Sequence, residues 1–266
     1  MAADILEQLA AFARDRVREK KRHVPLTTMQ RSAEAMAKET KEQAFRFEKA
    51  LSSPGISFIC ECKKASPSKG LIAPDFPYVE IAKDYEAAGA SCISVLTEPK
   101  WFLGSDDYLK EIAETVQVPC LRKDFTVDPY MIYEAKTLGA SAVLLICAIL
   151  SGDEVREGIQ IADSLGLSAI VEAHDEGEVE KAANAGARII GVNNRNLRDF
   201  TVDIHNSARL RKYAPEGTLF VAESGIHTHD DVAALEADGV DAVLVGEQLM
   251  RAKDRRAELN KLRGVQ

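Results

Sequence analysis

Long apolar runs are missing from this chain of 266 residues. None approaches the roughly 18 residues that cross a bilayer, which argues against a membrane-spanning helix. The opening stretch MAADILEQLAAFARDRVREKKRH mixes acids into a helical period. It has neither the apolar segment nor the cleavage site of a secretory leader. Positive charge is also in short supply: 34 Lys and Arg against 42 Asp and Glu, a net charge of −8. That balance gives no general attraction to nucleic acid or to an anionic membrane, so a small anionic ligand would need a local cationic site. Cysteine is sparse and odd in number. Cys60, Cys62, Cys92, Cys120 and Cys147 fall in strand-like apolar runs and read as reduced core thiols of a cytoplasmic protein. Cys60-x-Cys62 lacks a second Cys or His pair at a metal spacing, and His23, His174, His205, His227 and His229 show no ligand pattern, so no metal is expected. His227-x-His229 reads as the surface start of a helix. Ser66, Ser68 and Ser224 have no His–Asp partners nearby, which disfavours nucleophilic catalysis.

What the chain does have is a repeat. EAAGASCISVLTE (86–98), TLGASAVLLICAIL (137–150), NAGARIIGVNNRN (184–196) and ADGVDAVLVGEQL (237–249) each join a helix tail, a glycine and a strand. Gly89, Gly139, Gly186 and Gly239 stand where a helix C-terminus favours a residue that tolerates positive φ. The strands that follow are apolar throughout, as expected of strands buried on both faces. ISFICEC (56–62), VPCLRKDF (118–125), LSAIVEA (167–173) and GTLFVAE (217–223) fill the gaps, with helical patterns between all of them. Eight βα units in about 210 residues predict an α/β fold of the (β/α)8 TIM-barrel type. An open doubly wound sheet is the alternative, disfavoured because no G-x-G-x-x-G follows the first strand. Residues 1–50 read as an N-terminal helical extension packed on the barrel, and 51–266 as the barrel domain. The extension divides into helices over about 4–22 and 28–51, with Asp4 and Glu7 resembling a capping box and Pro25 between them. A last helix is expected over about 248–262.

Barrels carry their chemistry at the C-terminal strand ends and in the loops that follow. Those ends here read Glu61 and Lys63; Thr97-Glu98; Arg122-Lys123-Asp124-Phe125; Glu172 and His174; Asn193-Asn194-Arg195; Glu223-Ser224-Gly225; and Gly246-Glu247. Unpaired charge is costly at such places, so the concentration points to a site rather than to ordinary loop onset. Glu61 and Lys63 lie two apart and share one strand face. Gly225 and Gly246, in the seventh and eighth loops, stand where backbone N–H groups bind phosphate in many barrels. Acid–base work would fall to Lys and Glu, which a mouth of carboxylates and apolar walls can tune toward neutral pH.

In order along the chain, ECKKASPSKG, ISVLTE, LRKDF, VLLI, IVEAH, GVNNRNL, AESGI and LVGEQLM resemble the indole-3-glycerol phosphate synthase family of tryptophan biosynthesis. The resemblance covers roughly residues 45–250, and the helical extension is similar too. It implies a carboxy-lyase that closes the ring of 1-(2-carboxyphenylamino)-1-deoxyribulose 5-phosphate, losing carbon dioxide and then water, without cofactor or metal. Its implied general acid is Lys123. Glu172 and Glu61 match carboxylates of the acid–base steps, and Lys63 a lysine that binds the substrate anion and also donates a proton in some assignments. Asn193 and Arg195 match residues near the reacting centre and the substrate carboxylate. Ser66, Pro67, Glu223 and Ser224 match further parts of the substrate site, and Phe102, Phe125, Leu144, Ile146 and Leu197 the wall of an aromatic pocket. Phosphate would meet Lys63, Gly225, Gly246 and Glu247, with the Glu247 carboxylate turned outward. The implied partners are a small phosphorylated substrate and other enzymes of the pathway.

Three other functions compete with this reading. Phosphoribosylanthranilate isomerase would want a Cys/Asp pair and lacks the SPSKG and NNRNL set. A class I aldolase would use Lys123 as a Schiff base. A non-catalytic phosphosugar-binding barrel would have no need of the Glu61, Lys123 and Glu172 set.

Overall fold

Each glycine-then-apolar segment becomes a turn and an inner strand. Gly89 and Gly139 take φ of 86° and 83°, ending their helices in the left-handed conformation that a side chain would resist. The computed structural model describes residues 5–196 and 200–265. Its strands are β1 (Ser57–Cys62), β2 (Cys92–Leu96), β3 (Cys120–Lys123), β4 (Ala142–Ile146), β5 (Ser168–Ala173), β6 (Ile189–Asn193), β7 (Leu219–Glu223) and β8 (Ala242–Val245). They are parallel and pair in sequence order. β8 returns to β1 with Phe58 opposite Val243 and Cys60 opposite Val245, which closes the expected (β/α)8 barrel. A small antiparallel hairpin, Ala65–Ser66 against Gly70–Leu71, decorates the loop after β1.

Twelve α-helices lie among the described residues. Three precede β1: α1 (Ile5–His23), α2 (Leu26–Glu39) and α3 (Arg46–Leu51). Seven follow β1 to β7 in turn: α4 (Tyr78–Ala87), α5 (Asp106–Thr115), α6 (Pro129–Thr137), α7 (Gly152–Ser164), α8 (Glu176–Asn184), α9 (His205–Arg211) and α10 (His229–Ala237). Two follow β8: α11 (Glu247–Arg251) and α12 (Arg255–Leu262).

Strand alternation builds two cores. Phe58, Cys60 and Cys62 face outward with Tyr85 and the helix faces, while Ile59, Cys92, Leu121, Leu144, Ile170 and Leu244 fill the interior. All five cysteines are free and buried, although Cys147 lies in the turn after β4 rather than in a strand.

Two expected helices are divided. The span 28–51 breaks after Glu39, passes through a 3₁₀ turn at Lys41–Gln43 and resumes at Arg46. Phe45 causes the break: it takes φ of 56° while its N–H donates to the Gly166 carbonyl at 2.9 Å. The chain then turns α3 beneath the N-terminal strand ends, where the Glu48 N–H donates to Ser168 Oγ (3.2 Å) and Phe47 and Leu51 close the barrel floor. The span 248–262 breaks because Asp254 caps a new helix, accepting from the Ala257 N–H. Asp4, the suggested cap of α1, lies outside the described residues.

α1 crosses the opposite end of the barrel. Arg16 grips Asp124 at 2.6 Å, Lys21 reaches Asp128 at 2.7 Å, and Lys20 pairs with Glu134 at 2.7 Å and with Asp106. Beneath them Arg122 is wholly buried, held by Asp106 (2.7 Å), Glu134 (2.8 Å) and the Met131 carbonyl (2.9 Å). Removing one partner of a buried pair strands the other charge. Arg122→Met should therefore lower the free energy of urea unfolding by about 3–5 kcal/mol. A loss below about 1 kcal/mol would show that Lys20 alone neutralises the two acids.

Candidate active site

Inner-face parity decides which strand-end residues meet. Along β1 the inward positions run Ile59, Glu61, Lys63; along β3 they run Leu121, Lys123, Phe125. The same parity turns Glu172, Asn193, Glu223 and Gly246 inward from β5, β6, β7 and the end of β8. Of these, Glu61, Lys63, Lys123, Glu172, Asn193, Glu223 and Gly246 line one cavity at the C-terminal end of the barrel, open to solvent on one side. Ser66, Pro67, Phe102, Phe125, Leu144, Ile146, Arg195, Ser224, Gly225 and Glu247 border it as well. Leu197 lies outside the described residues.

Neighbours in sequence with the other parity do structural work instead. Arg122 and Asp124 hold α5, α6 and α1, as described above. Asn194 accepts from the Ser207 N–H (3.0 Å) and hydroxyl (2.7 Å) and donates to the Ser224 carbonyl at 3.1 Å. That bond pins the turn in which Ser224 and Gly225 both take positive φ, 71° and 81°. Asn193 uses its carbonyl oxygen on the Arg195 N–H (3.0 Å), which leaves its amide NH2 for the cavity. Glu98, the charge that ends the second strand segment, is fully buried. Its carboxylate accepts from the N–H groups of Lys100, Trp101 and Phe102 at 2.8–2.9 Å, and so shapes the loop that brings Phe102 to Phe125.

The charged groups form two connected sets. Lys63 Nζ lies 2.5 Å from Glu61 Oε2. Lys123 Nζ lies 3.4 Å from Glu172 Oε2 and 3.5 Å from Glu223 Oε2. Burial alone would discharge Lys123, but Glu223, Glu172 and Glu61 outweigh it and hold the ammonium protonated. The two carboxyls on this lysine diverge. Burial also works against the Glu172 carboxylate, yet Lys123 and His174 hold its pKa down at about 2. Burial raises Glu223 to about 7, with the negative charges of Glu172 and Glu61 adding to the rise and Lys123 opposing it. Glu223 Oε1 is buried with no hydrogen-bond partner. One carboxylate is thus fixed in its ionised form, and the other exchanges a proton near neutral pH, a division typical of acid–base pairs.

Gly246 is small for reasons of space. An added Cβ would stand 2.3 Å from Glu61 Oε2 and 3.1 Å from Lys63 Nζ. The Glu247 carboxylate meets Arg251 (3.2 Å) and Lys69 (3.6 Å) at the rim. The N–H groups in the first turn of α11 have no acceptor within the helix.

A family model described as indole-3-glycerol phosphate synthase matches residues 6–262. The indole-3-glycerol phosphate synthase of Ruminiclostridium cellulolyticum is 57% identical over 260 residues, 98% of this chain and 99% of that one. The chain belongs to the indole-3-glycerol phosphate synthase family. A second member, from Endomicrobium trichonymphae, is 52% identical over 97% of this chain and 99% of its own. Among solved structures, 3-hexulose-6-phosphate synthase from Salmonella typhimurium superposes with a TM-score of 0.64 over 78% of this chain and 96% of its own. At 16% identity that likeness speaks for the barrel alone. The resemblance carried by ECKKASPSKG, LRKDF and GVNNRNL is therefore borne out, and with it a decarboxylating lyase family of tryptophan biosynthesis.

Some of the cavity wall was not foreseen. Ile5 and Leu9 of α1 border it. A periodic helix shows an apolar face in its sequence but not which end of a barrel that face covers. His227 borders it too, with Nδ1 3.0 Å from Gln248 Oε1, while also preceding Thr228, the cap of α10. The sequence marks His174 only as a strand-end residue. It lies 3.3 Å from Glu172, and the two-residue spacing of Glu172-x-His174 was the available signal.

Proposed function

We propose that this protein catalyses the ring closure of 1-(2-carboxyphenylamino)-1-deoxyribulose 5-phosphate to indole-3-glycerol phosphate, with release of carbon dioxide and water. The observation that carries the reading is the charged set around Lys123, walled by Phe102, Phe125, Leu144 and Ile146. The apolar wall suits the aromatic ring of the substrate. Gly225, Gly246, the first turn of α11 and Lys63 suit its phosphate, and Ser66, Pro67 and Ser224 complete the substrate site. Arg195 and the free amide of Asn193 suit the ring carboxylate and the reacting centre.

In the first step the ring carbon bearing the carboxylate attacks the C2′ carbonyl. Lys123 gives its proton to the carbonyl oxygen as the carbon–carbon bond forms, and the carboxylate leaves as carbon dioxide. In the second step the new hydroxyl departs as water, taking a proton, while a neighbouring proton passes to a carboxylate. Glu172, held ionised beside Lys123, has open lone pairs to accept that proton. Glu61 pairs with Lys63 beside the departing oxygen, and Glu223, raised to about 7, returns protons to Lys123.

Residues 1–50 act with the barrel as one catalytic unit, since α1 roofs the mouth and α3 the floor. The work is done in the cytoplasm, and association with other enzymes of the tryptophan pathway fits a soluble intermediate passed between steps.

The deciding experiment follows indoleglycerol phosphate fluorescence as purified protein meets the carboxyphenylamino substrate in the presence of chelator. Multiple turnovers are expected. No product at enzyme concentrations near those of substrate would sink the reading. A covalent adduct trapped by borohydride would favour a Schiff-base aldolase instead.

A further inference from the structure

His174 stands between two carboxylates. Its Nε2 lies 3.3 Å from Glu172 Oε1, and its Nδ1 lies 3.0 Å from Glu178 Oε2. Glu178 is itself fixed: its oxygen accepts the His174 backbone N–H at 2.8 Å, and its own N–H donates to Asp175, the cap of α8, at 2.9 Å. The Asn206 side chain holds the His174 carbonyl at 3.3 Å. The ring is thus anchored from α8, the backbone of its residue is held from α9, and Nε2 faces Glu172. Glu172 has a basic group near each oxygen: Lys123 lies 3.4 Å from Oε2, and the His174 ring lies 3.3 Å from Oε1, with its buried Nε2 making no hydrogen bond among the described residues.

We propose that His174, as an imidazolium bridging Glu178 and Glu172, is a positioning residue that turns the Glu172 carboxylate toward Lys123 and keeps it ionised. The proposal rests on the reading of Glu172 as the base of the reaction. A neutral ring carries a single N–H and no charge, whereas the cation presents positive charge to both carboxylates. The charged groups around the ring favour the cation. A polar cavity that His174 borders is lined by Glu7 of α1, Asp175 and Glu178 of α8, Arg195 and Asp203 beyond β6, and Arg209 of α9. Arg209 is turned to Asp203 and Asn206, so it does not compete for Glu178. Burial opposes charge on the ring, but Glu172 and Glu178 raise its pKa from 6.5 to about 10. With the folded value raised, the stabilisation from this bridge is complete below pH 6.5 and is lost as pH rises through about 10.

The test compares wild type with His174→Asn and Glu178→Gln. His174→Asn should lower kcat about 10²-fold, the scale of a misplaced catalytic group. The Michaelis constant should stay within about threefold. Without the cation the Glu172 pKa rises, so the acid limb of kcat should move up by about one pH unit. Glu178→Gln should shift both in the same direction by less. In substrate-free wild type, nitrogen NMR should show the His174 ring doubly protonated at pH 8. A neutral ring at that pH, or a folded His174→Asn enzyme with kcat within about twofold and an unmoved acid limb, would overturn the proposal. A wild type whose ring titrates as described but which makes no product would support the bridge and refute the reaction.

Discussion

Lys123→Ala is expected to lower kcat about 10³-fold while changing the Michaelis constant only a few fold, the pattern of a group that acts mainly in the transition state. The lysine stands at the centre of three carboxylates, with Glu172 and Glu223 within 3.5 Å. Its proton is secured because those charges outweigh its burial. Alanine removes the acid and also the cation that opposes the rise in Glu223, so Glu223 would keep its proton to a higher pH. Lys123→Arg separates these effects. It restores positive charge, but a guanidinium gives up a proton far less readily. The arginine variant should remain nearly as slow as alanine if proton donation is the main contribution. Near-normal turnover in either variant, followed by indoleglycerol phosphate fluorescence, would remove Lys123 from the role of general acid.

Gly246→Val should lower kcat/KM about 10²-fold, through both constants. A phosphate contact by itself would predict a rise in the Michaelis constant alone. The close approach of Glu61 and Lys63 adds a second effect. The backbone at Gly246, with φ of −123° and ψ of −74°, does not take the positive φ that favours glycine. Space is the constraint instead, because a Cβ there would stand 2.3 Å from the Glu61 carboxylate. The Glu61–Lys63 pair must then shift, which disturbs the β1 side of the mouth as well as the loop at α11. Steady-state kinetics distinguishes the outcomes. A kcat/KM within about threefold of wild type would mean that this loop does not border the bound substrate.

Much of this molecule was legible before any coordinate. The recurring glycine and apolar strand predicted eight parallel strands, because a helix C-terminus and a doubly buried strand each demand a narrow choice of residues. Glu61 and Lys63 were placed on one face by their spacing, and they do meet. Helix boundaries were less legible where a tertiary contact overrode the local pattern. Phe45 breaks the second helix because its backbone is claimed by Gly166, 121 positions along the chain. No local propensity records such a contact.

The sequence by itself determined the βα repeat, the family and the pool of polar strand ends from which a site could be drawn. A period of two says which residues share a face, but not which face becomes the mouth. Only closure of the barrel turned Lys123 inward, Arg122 outward among α5 and α6, and Asp124 to the rim, where it holds Arg16 of α1. Only the fold set Glu172 and Glu223 within 3.5 Å of one ammonium, with His174 near the first and nothing bonded to the buried Oε1 of the second. Their different proton affinities arise from that arrangement, since the desolvation and charge that shift a carboxyl come from strands distant in sequence.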